Sequence, residues 1–112
     1  MALFLTHFSY TPESWMGLMS HPRDRREELR PFIEAAGGRL IDMYFTFGKE
    51  DGVLLTEGDN VSAAAISIAA TAAGGIKSIE TQVLLTVDEM LEALEKAAEL
   101  PYRAPKEAPV HA

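Results

Sequence analysis

RLIDMYFTFGKEDGVLLTE, residues 39–57, reads as a hairpin and decides the rest of the chain. Its two halves, Arg39 to Phe47 and Val53 to Glu57, are short runs of aliphatic, aromatic and β-branched residues. Between them Gly48-Lys49-Glu50-Asp51-Gly52 supplies a glycine-flanked loop, which suits two antiparallel strands. Such a pair needs more strands and a cover before it is stable, and the flanking sequence offers both.

On the N-terminal side, Gly37-Gly38 closes a helical pattern running from Glu13 to Ala36. The pattern is expected in two pieces. The first, around Ser14 to Met19, carries Trp15, Leu18 and Met19. The second follows Pro22, with Ser20 and His21 as possible caps, and buries Leu29, Phe32, Ile33 and Ala36. Pro31 predicts a kink or a restart, since an interior proline removes a backbone bond. Before them Ala2 to Tyr10 is a strand ended by Thr11-Pro12.

On the C-terminal side, Asp59-Asn60 caps an alanine-rich helix that reaches about Ala73 and stops at Gly74-Gly75. Ile76 to Leu85 is a fourth strand. Thr86-Val87-Asp88-Glu89 forms a capping box for a last helix, whose Met90, Leu91, Leu94, Ala97 and Ala98 are expected to face inward. Prolines 101, 105 and 109 mark an extended tail over 101–112, after a single domain over 1–100. The order is strand, helix, strand, strand, helix, strand. With right-handed crossovers that is an α+β, ferredoxin-like βαββαβ sandwich with an appended C-terminal helix, its first and third strands central.

Two helices cover one side of a four-stranded sheet. Strict alternation places Ile41, Met43, Phe45, Phe47, Val53, Leu55, Ile79, Val83 and Leu85 beneath them. It leaves Leu40, Asp42, Tyr44, Thr46, Leu54, Thr56, Glu80, Gln82 and Leu84 on the open face. The first strand is ambiguous: if Phe4 and Phe8 lie beneath the helices, then Leu3, Leu5 and His7 join the open face. That face is too apolar for a monomer in water, so a homodimer through it is expected.

Composition narrows the function. A formal net charge of −7 argues against nucleic acid, which demands clustered cations; Arg23, Arg25, Arg26 and Arg30 are interleaved with acids and pair along a helix. There is no cysteine, so thiol chemistry, disulfides and zinc–thiolate sites are excluded. His7, His21 and His111 lack ligand spacing, so no metal is expected. No phosphate loop, dinucleotide fingerprint or nucleophile elbow is present, and no cofactor is expected. Without a basic leader or a spanning apolar run, the reading is a cytoplasmic protein with no membrane association.

Several stretches resemble the GYD-domain family of dimeric α/β-barrel proteins: Tyr10-Thr11-Pro12-Glu13-Ser14-Trp15, His21-Pro22-Arg23-Asp24-Arg25, Gly37-Gly38-Arg39-Leu40, residues 45–52, residues 59–65 and Leu84-Leu85-Thr86-Val87-Asp88-Glu89. The resemblance runs roughly from Leu3 to Ala97. It implies the ferredoxin-like fold and a face-to-face dimer that forms an α/β barrel. The family pattern has a tyrosine before the loop aspartate, where this chain has Glu50. Relatives of the fold perform unrelated chemistry, some with haem on a histidine, so fold does not fix activity.

Seven residues are candidates for function. His7 shares the open face with Glu80, Gln82 and Thr56, and a histidine oriented by a carboxylate would serve as a general base. The plainer reading, a histidine simply hydrogen-bonded at a dimer seam, is the one favoured, since buried polar groups are normally just satisfied. Tyr10, Trp15 and Tyr44 would line a pocket or fill a core. Arg26, with Arg25, would grip a carboxylate or pair with a nearby acid. Asp51 would bind a ligand or fix its turn. These residues favour a homodimer that binds a small molecule between sheet and helices or at the seam. The alternatives are a cofactor-independent enzyme of oxygenase or isomerase type with His7 as base, and a non-catalytic protein-interaction module.

Overall fold

The computed structural model describes residues 1–106. Its elements are β1 (Ala2–Tyr10), α1 (Pro12–Ser20), α2 (Arg25–Ala35), β2 (Arg39–Phe45), β3 (Gly52–Gly58), α3 (Asn60–Ala72), β4 (Ile76–Leu84) and α4 (Val87–Ala98). The sheet runs β2-β3-β1-β4 with every neighbouring pair antiparallel, so β1 and β3 are central as expected. This is the ferredoxin-like α+β plan.

Local chemistry sets the boundaries. Thr11, Asp59 and Thr86 each accept a backbone N–H three residues on, from Ser14, Ser62 and Glu89, which starts α1, α3 and α4. Glu89 returns a bond to the Thr86 N–H, completing the capping box. Gly37 and Gly74 end α2 and α3 with φ of 94° and 85°, a backbone shape that suits glycine. Two local expectations need correction. The N-cap of α2 is Asp24, which accepts from the Arg26 N–H, while Pro22 lies in the link before it. Helix α2 also continues through Pro31, giving up one backbone bond there.

The larger correction concerns the sheet faces. Across β1 and β3, Phe4 pairs with Thr56, Thr6 with Leu54 and Phe8 with Gly52. Across β1 and β4, the same three residues pair with Val83, Thr81 and Ile79. All of these therefore face the helices, so Leu54 and Thr56 are buried there, and Val53 and Leu55 lie on the open side. Strand β2 follows because the register shifts between Leu40 and Asp42. One extra residue in a bulge turns both Leu40 and Met43 inward, which strict alternation forbids. Leu40 belongs under the helices, and Phe47 and Leu85 lie beyond the strand ends, both exposed.

The core is Phe8, Tyr10, Ile33, Leu40, Met43, Leu54 and Ile66, with Leu18, Leu29, Phe32 and Ile76 packed around it. Ile33 of α2 is wholly enclosed, at 0% exposure. Helix α4 does not join this core. All its residues are exposed, Met90, Leu91 and Leu94 among them, which corrects the expectation that they face inward. The radius of gyration, 19.0 Å, records that projection; a compact chain of this length would give about 13 Å. Residues 101–106 continue as irregular chain, and the remainder of the expected tail lies outside the described residues. Among the described residues no helix is long and apolar enough to cross a membrane.

Candidate functional site

The helices do not fill the space above the sheet. A cavity of about 440 Å³ remains between α1, α2, α3 and the strands. Volumes of this order suit small-molecule ligands, and well-packed interiors rarely leave them. Its origin is legible in the side chains. Ala69 and Ala70 of α3, Ala73 at its C-cap and Gly17 of α1 line the space. A Cβ added at Gly17 would meet nothing within 4 Å. Small residues on two facing helices leave a void where larger ones would interdigitate.

The cavity is apolar at its floor and charged at its edge. Phe8, Ile33, Leu54 and Ile66 form the buried floor. The floor hydroxyl of Thr6 is occupied, lying 3.0 Å from Thr81 Oγ1, which is 3.3 Å from Ser67 Oγ. At the edge stand Arg23, Arg25 and Glu28, whose side chains are 42%, 34% and 38% exposed. Arg23 Nε donates to Glu28 Oε1 at 2.9 Å and Arg25 Nη1 to the same oxygen at 3.4 Å. The two guanidinium groups hold the Glu28 carboxyl below its usual range, Arg23 contributing most. Tyr10 reaches this edge from β1. Burial pushes its hydroxyl above the ordinary tyrosine pKa, and a hydrogen bond from Arg25 works against that push. Tyr10 is thus a neutral phenol at neutral pH.

Four rings close the end of the cavity. Phe8 lies 5.1 Å from Tyr10, Tyr10 lies 5.3 Å from Trp15, and Phe45 lies 6.3 Å from both Trp15 and Phe8. Asp51 locks the cycle in place. Its Oδ2 accepts from the Tyr10 backbone N–H at 2.9 Å and from Trp15 Nε1 at 3.2 Å, while its own N–H donates to the Phe8 carbonyl. The loop aspartate therefore ties the hairpin to β1 and α1, a longer reach than a local turn. Outside the rings, Trp15, Pro22, Phe45 and Phe47 line a shallower groove of about 590 Å³ that shares Leu18, Arg23 and Arg25 with the cavity.

The seven sequence candidates fall into three places. Tyr10, Trp15 and Asp51 come together at the ring cycle, and of these only Tyr10 lines the cavity. Arg26 and Tyr44 meet through Asp42. Arg26 Nη1 donates to Asp42 Oδ1 at 3.3 Å, and the Tyr44 hydroxyl bonds to the same carboxylate, which raises the tyrosine's pKa. The Met43 backbone N–H, foremost, and then Tyr44 hold Asp42 below the usual carboxylate range. His7 lies on the open face, where its Nε2 donates to Gln82 Oε1 at 3.0 Å. Glu80 is its register partner on β4, but Thr56, expected beside it, is buried on the opposite side. Arg23, Glu28, Gly17 and the α3 alanines are lining residues the sequence reading did not single out. For the alanines the signal was the alanine-rich run of α3 itself. Among the described residues no group of three or more acids or histidines could hold a metal.

Among solved structures the chain is similar to a protein of unknown function from Nitrosomonas europaea, at 24% identity and a TM-score of 0.40, with 77% of this chain and 89% of that one covered. No curated protein matches it. The GYD domain matches residues 4–94, which takes in all but the first two residues of β1, every element from α1 to β4 and most of α4. The chain belongs to the GYD domain family.

Proposed function

We propose that the protein is a homodimer that binds a small organic molecule in the cavity between its helices and its sheet. The observation that carries this reading is the cavity itself. About 440 Å³ is left open by Gly17 and three α3 alanines, over a floor of well-packed core residues. An empty volume of that size forfeits contacts the fold would otherwise make, and a bound molecule would restore them. A binding protein needs no catalytic group, so His7, outside the cavity lining, has no part in it.

The test is to fill the space from within. Ala70→Leu and Gly17→Leu place side chains into the cavity from two helices, and each is expected to raise the melting temperature while abolishing binding of any molecule found by thermal-shift screening. Undiminished binding in both variants would place the ligand elsewhere and end this reading.

The dimer half of the proposal rests on the open face. Leu3, Leu5, Val53, Leu55 and Leu84 are half-buried there, on the face of the sheet away from the helix-side core. Leu5 and Leu55 are register partners at the centre of the sheet, so a second copy laid across that face would bury both. Light scattering is expected to give a dimer at micromolar concentration and a folded monomer for Leu55→Asp. A monomeric parent protein would refute this half alone.

A further inference from the structure

We infer that the cavity's ligand is an organic anion with an apolar body, a carboxylate carried on an aromatic or aliphatic skeleton, held with its head at Arg25 and Tyr10 and its body over Ile66 and Leu54. This rests on the binding reading above and adds the chemical class. Three observations converge on it. First, polarity is segregated. The floor is hydrocarbon apart from Thr6, whose hydroxyl already has a partner in Thr81, so the charged donors stand at the edge and not at depth. Second, the edge carries two guanidinium groups against one carboxylate, a local charge of +1 on a chain whose net charge is −7. Each guanidinium has five N–H donors in a fixed fork, more than the two oxygens of Glu28 can absorb. Third, Tyr10 lines the same cavity as Arg25 and Arg23. Its phenol is a hydrogen-bond donor beside them, and an oxyanion is the acceptor it suits.

The neutral and cationic alternatives fit less well. A neutral ligand would make no charge-assisted bond to the guanidinium donors and would leave them to water. A cation would be repelled by Arg23 and Arg25 and would have to displace one of them from Glu28.

Three probes with one skeleton separate these cases: 1-naphthaleneacetate, 2-(1-naphthyl)ethanol and 1-naphthylethylamine, titrated at pH 7 by fluorescence and calorimetry. The acetate is expected to bind about tenfold or more tighter than the alcohol, as a charge-assisted pair with arginine allows, and the amine weakest. Arg25→Gln should lose that advantage and leave the alcohol unchanged. Glu28→Gln, which frees both arginines, should tighten the acetate and again leave the alcohol unchanged. Ala70→Leu should weaken all three probes, which locates them in the cavity. If the alcohol binds as tightly as the acetate, or if Glu28→Gln weakens the acetate, the anion assignment is wrong while the cavity remains a binding site. If none of the three binds, or Ala70→Leu changes nothing, the binding reading falls and the anion assignment with it. Circular dichroism melts on each variant keep a loss of fold distinct from a loss of affinity.

Discussion

The two faces of this sheet leave apolar surface uncovered in different ways. On the helix side, Phe4, Phe8, Leu40, Met43 and Leu54 are buried, and the uncovered surface is inside, as a cavity rimmed by charge. On the open side, Leu3, Leu5, Val53 and Leu55 alternate with the same strands' buried residues and are only half-sheltered by one another. The inner gap is the size of a small molecule. The outer one is the width of a sheet, which a protein surface fits and a small molecule does not. One set of strands thus offers two kinds of vacancy, and they call for different occupants.

Substitutions that act on one face and spare the other sharpen the contrast. The largest effect is expected at Ile33, the fully enclosed residue that joins α2 to the sheet. Ile33→Ala should cost about 2–5 kcal/mol by lost burial and an added void, visible as a steep fall in the thermal midpoint by circular dichroism. A loss below about 1 kcal/mol would mean that the neighbouring cavity lets the core relax around the gap. Next comes the clamp at the end of the cavity. Asp51→Ala removes the acceptor for both Tyr10 N–H and Trp15 Nε1 and should cost about 1–3 kcal/mol, since the Tyr10 amide is left to find water. Trp15 fluorescence should shift with it. An unchanged emission spectrum would show that the ring cycle stands without the aspartate.

Much of the fold was legible because its signals are local. Caps at Asp59 and Thr86, stops at Gly37 and Gly74 and the hairpin loop at 48–52 each act within a few residues, and they delimited the strands and helices to within a residue or two. The sheet faces failed for a long-range reason. The bulge at Ile41 is written in pairing with β3, and alternation counted along β2 alone assigns Leu40 and Ile41 to opposite sides. The bulge accounts for Leu40 alone; Leu54 and Thr56 are placed by the register across the hairpin loop, where Met43 pairs with Leu54, and missing that pairing also gives His7 a neighbour it does not have. The cavity was hidden for the complementary reason. Alanines at 69, 70 and 73 are compatible with tight packing or with a void, and only the position of α1 and α2 above them decides which.

Acid should weaken both faces together, because the depressed carboxylates sit at the caps and rims that hold the layers. Asp59 is lowered chiefly by the Ser62 backbone N–H, Glu89 by that of Thr86, and Asp24 by the Arg26 side chain. Each binds its proton less readily folded than unfolded, so its stabilising share is present above the ordinary carboxylate pKa of about 4 and is lost as pH falls through the lower folded value. Thermal midpoints should therefore be flat near neutrality and decline below about pH 4. Asp59→Asn keeps a capping oxygen but cannot titrate, so its midpoint should decline less in acid than the parent's. An identical decline would assign the acid loss to the other carboxylates.

The smallest effect is expected where the contrast between inside and outside has been drawn wrongly from sequence alone. Helix α4 has a well-formed capping box and a stripe of Met90, Leu91 and Leu94, the features of a packed amphipathic helix, yet Leu91 is 54% exposed. A stripe left this exposed contributes little to folding of the chain that carries it. Leu91→Lys should shift unfolding by no more than about 0.5 kcal/mol, the usual range for surface positions, when measured in urea on a protein held monomeric by Leu55→Asp. If the same substitution in the parent lowers stability and the loss fades on dilution, the stripe is covered by the second copy, since only an associated state is concentration-dependent. If it costs several kcal/mol in the monomer, α4 folds back onto its own sheet in solution, and the open face has an occupant after all.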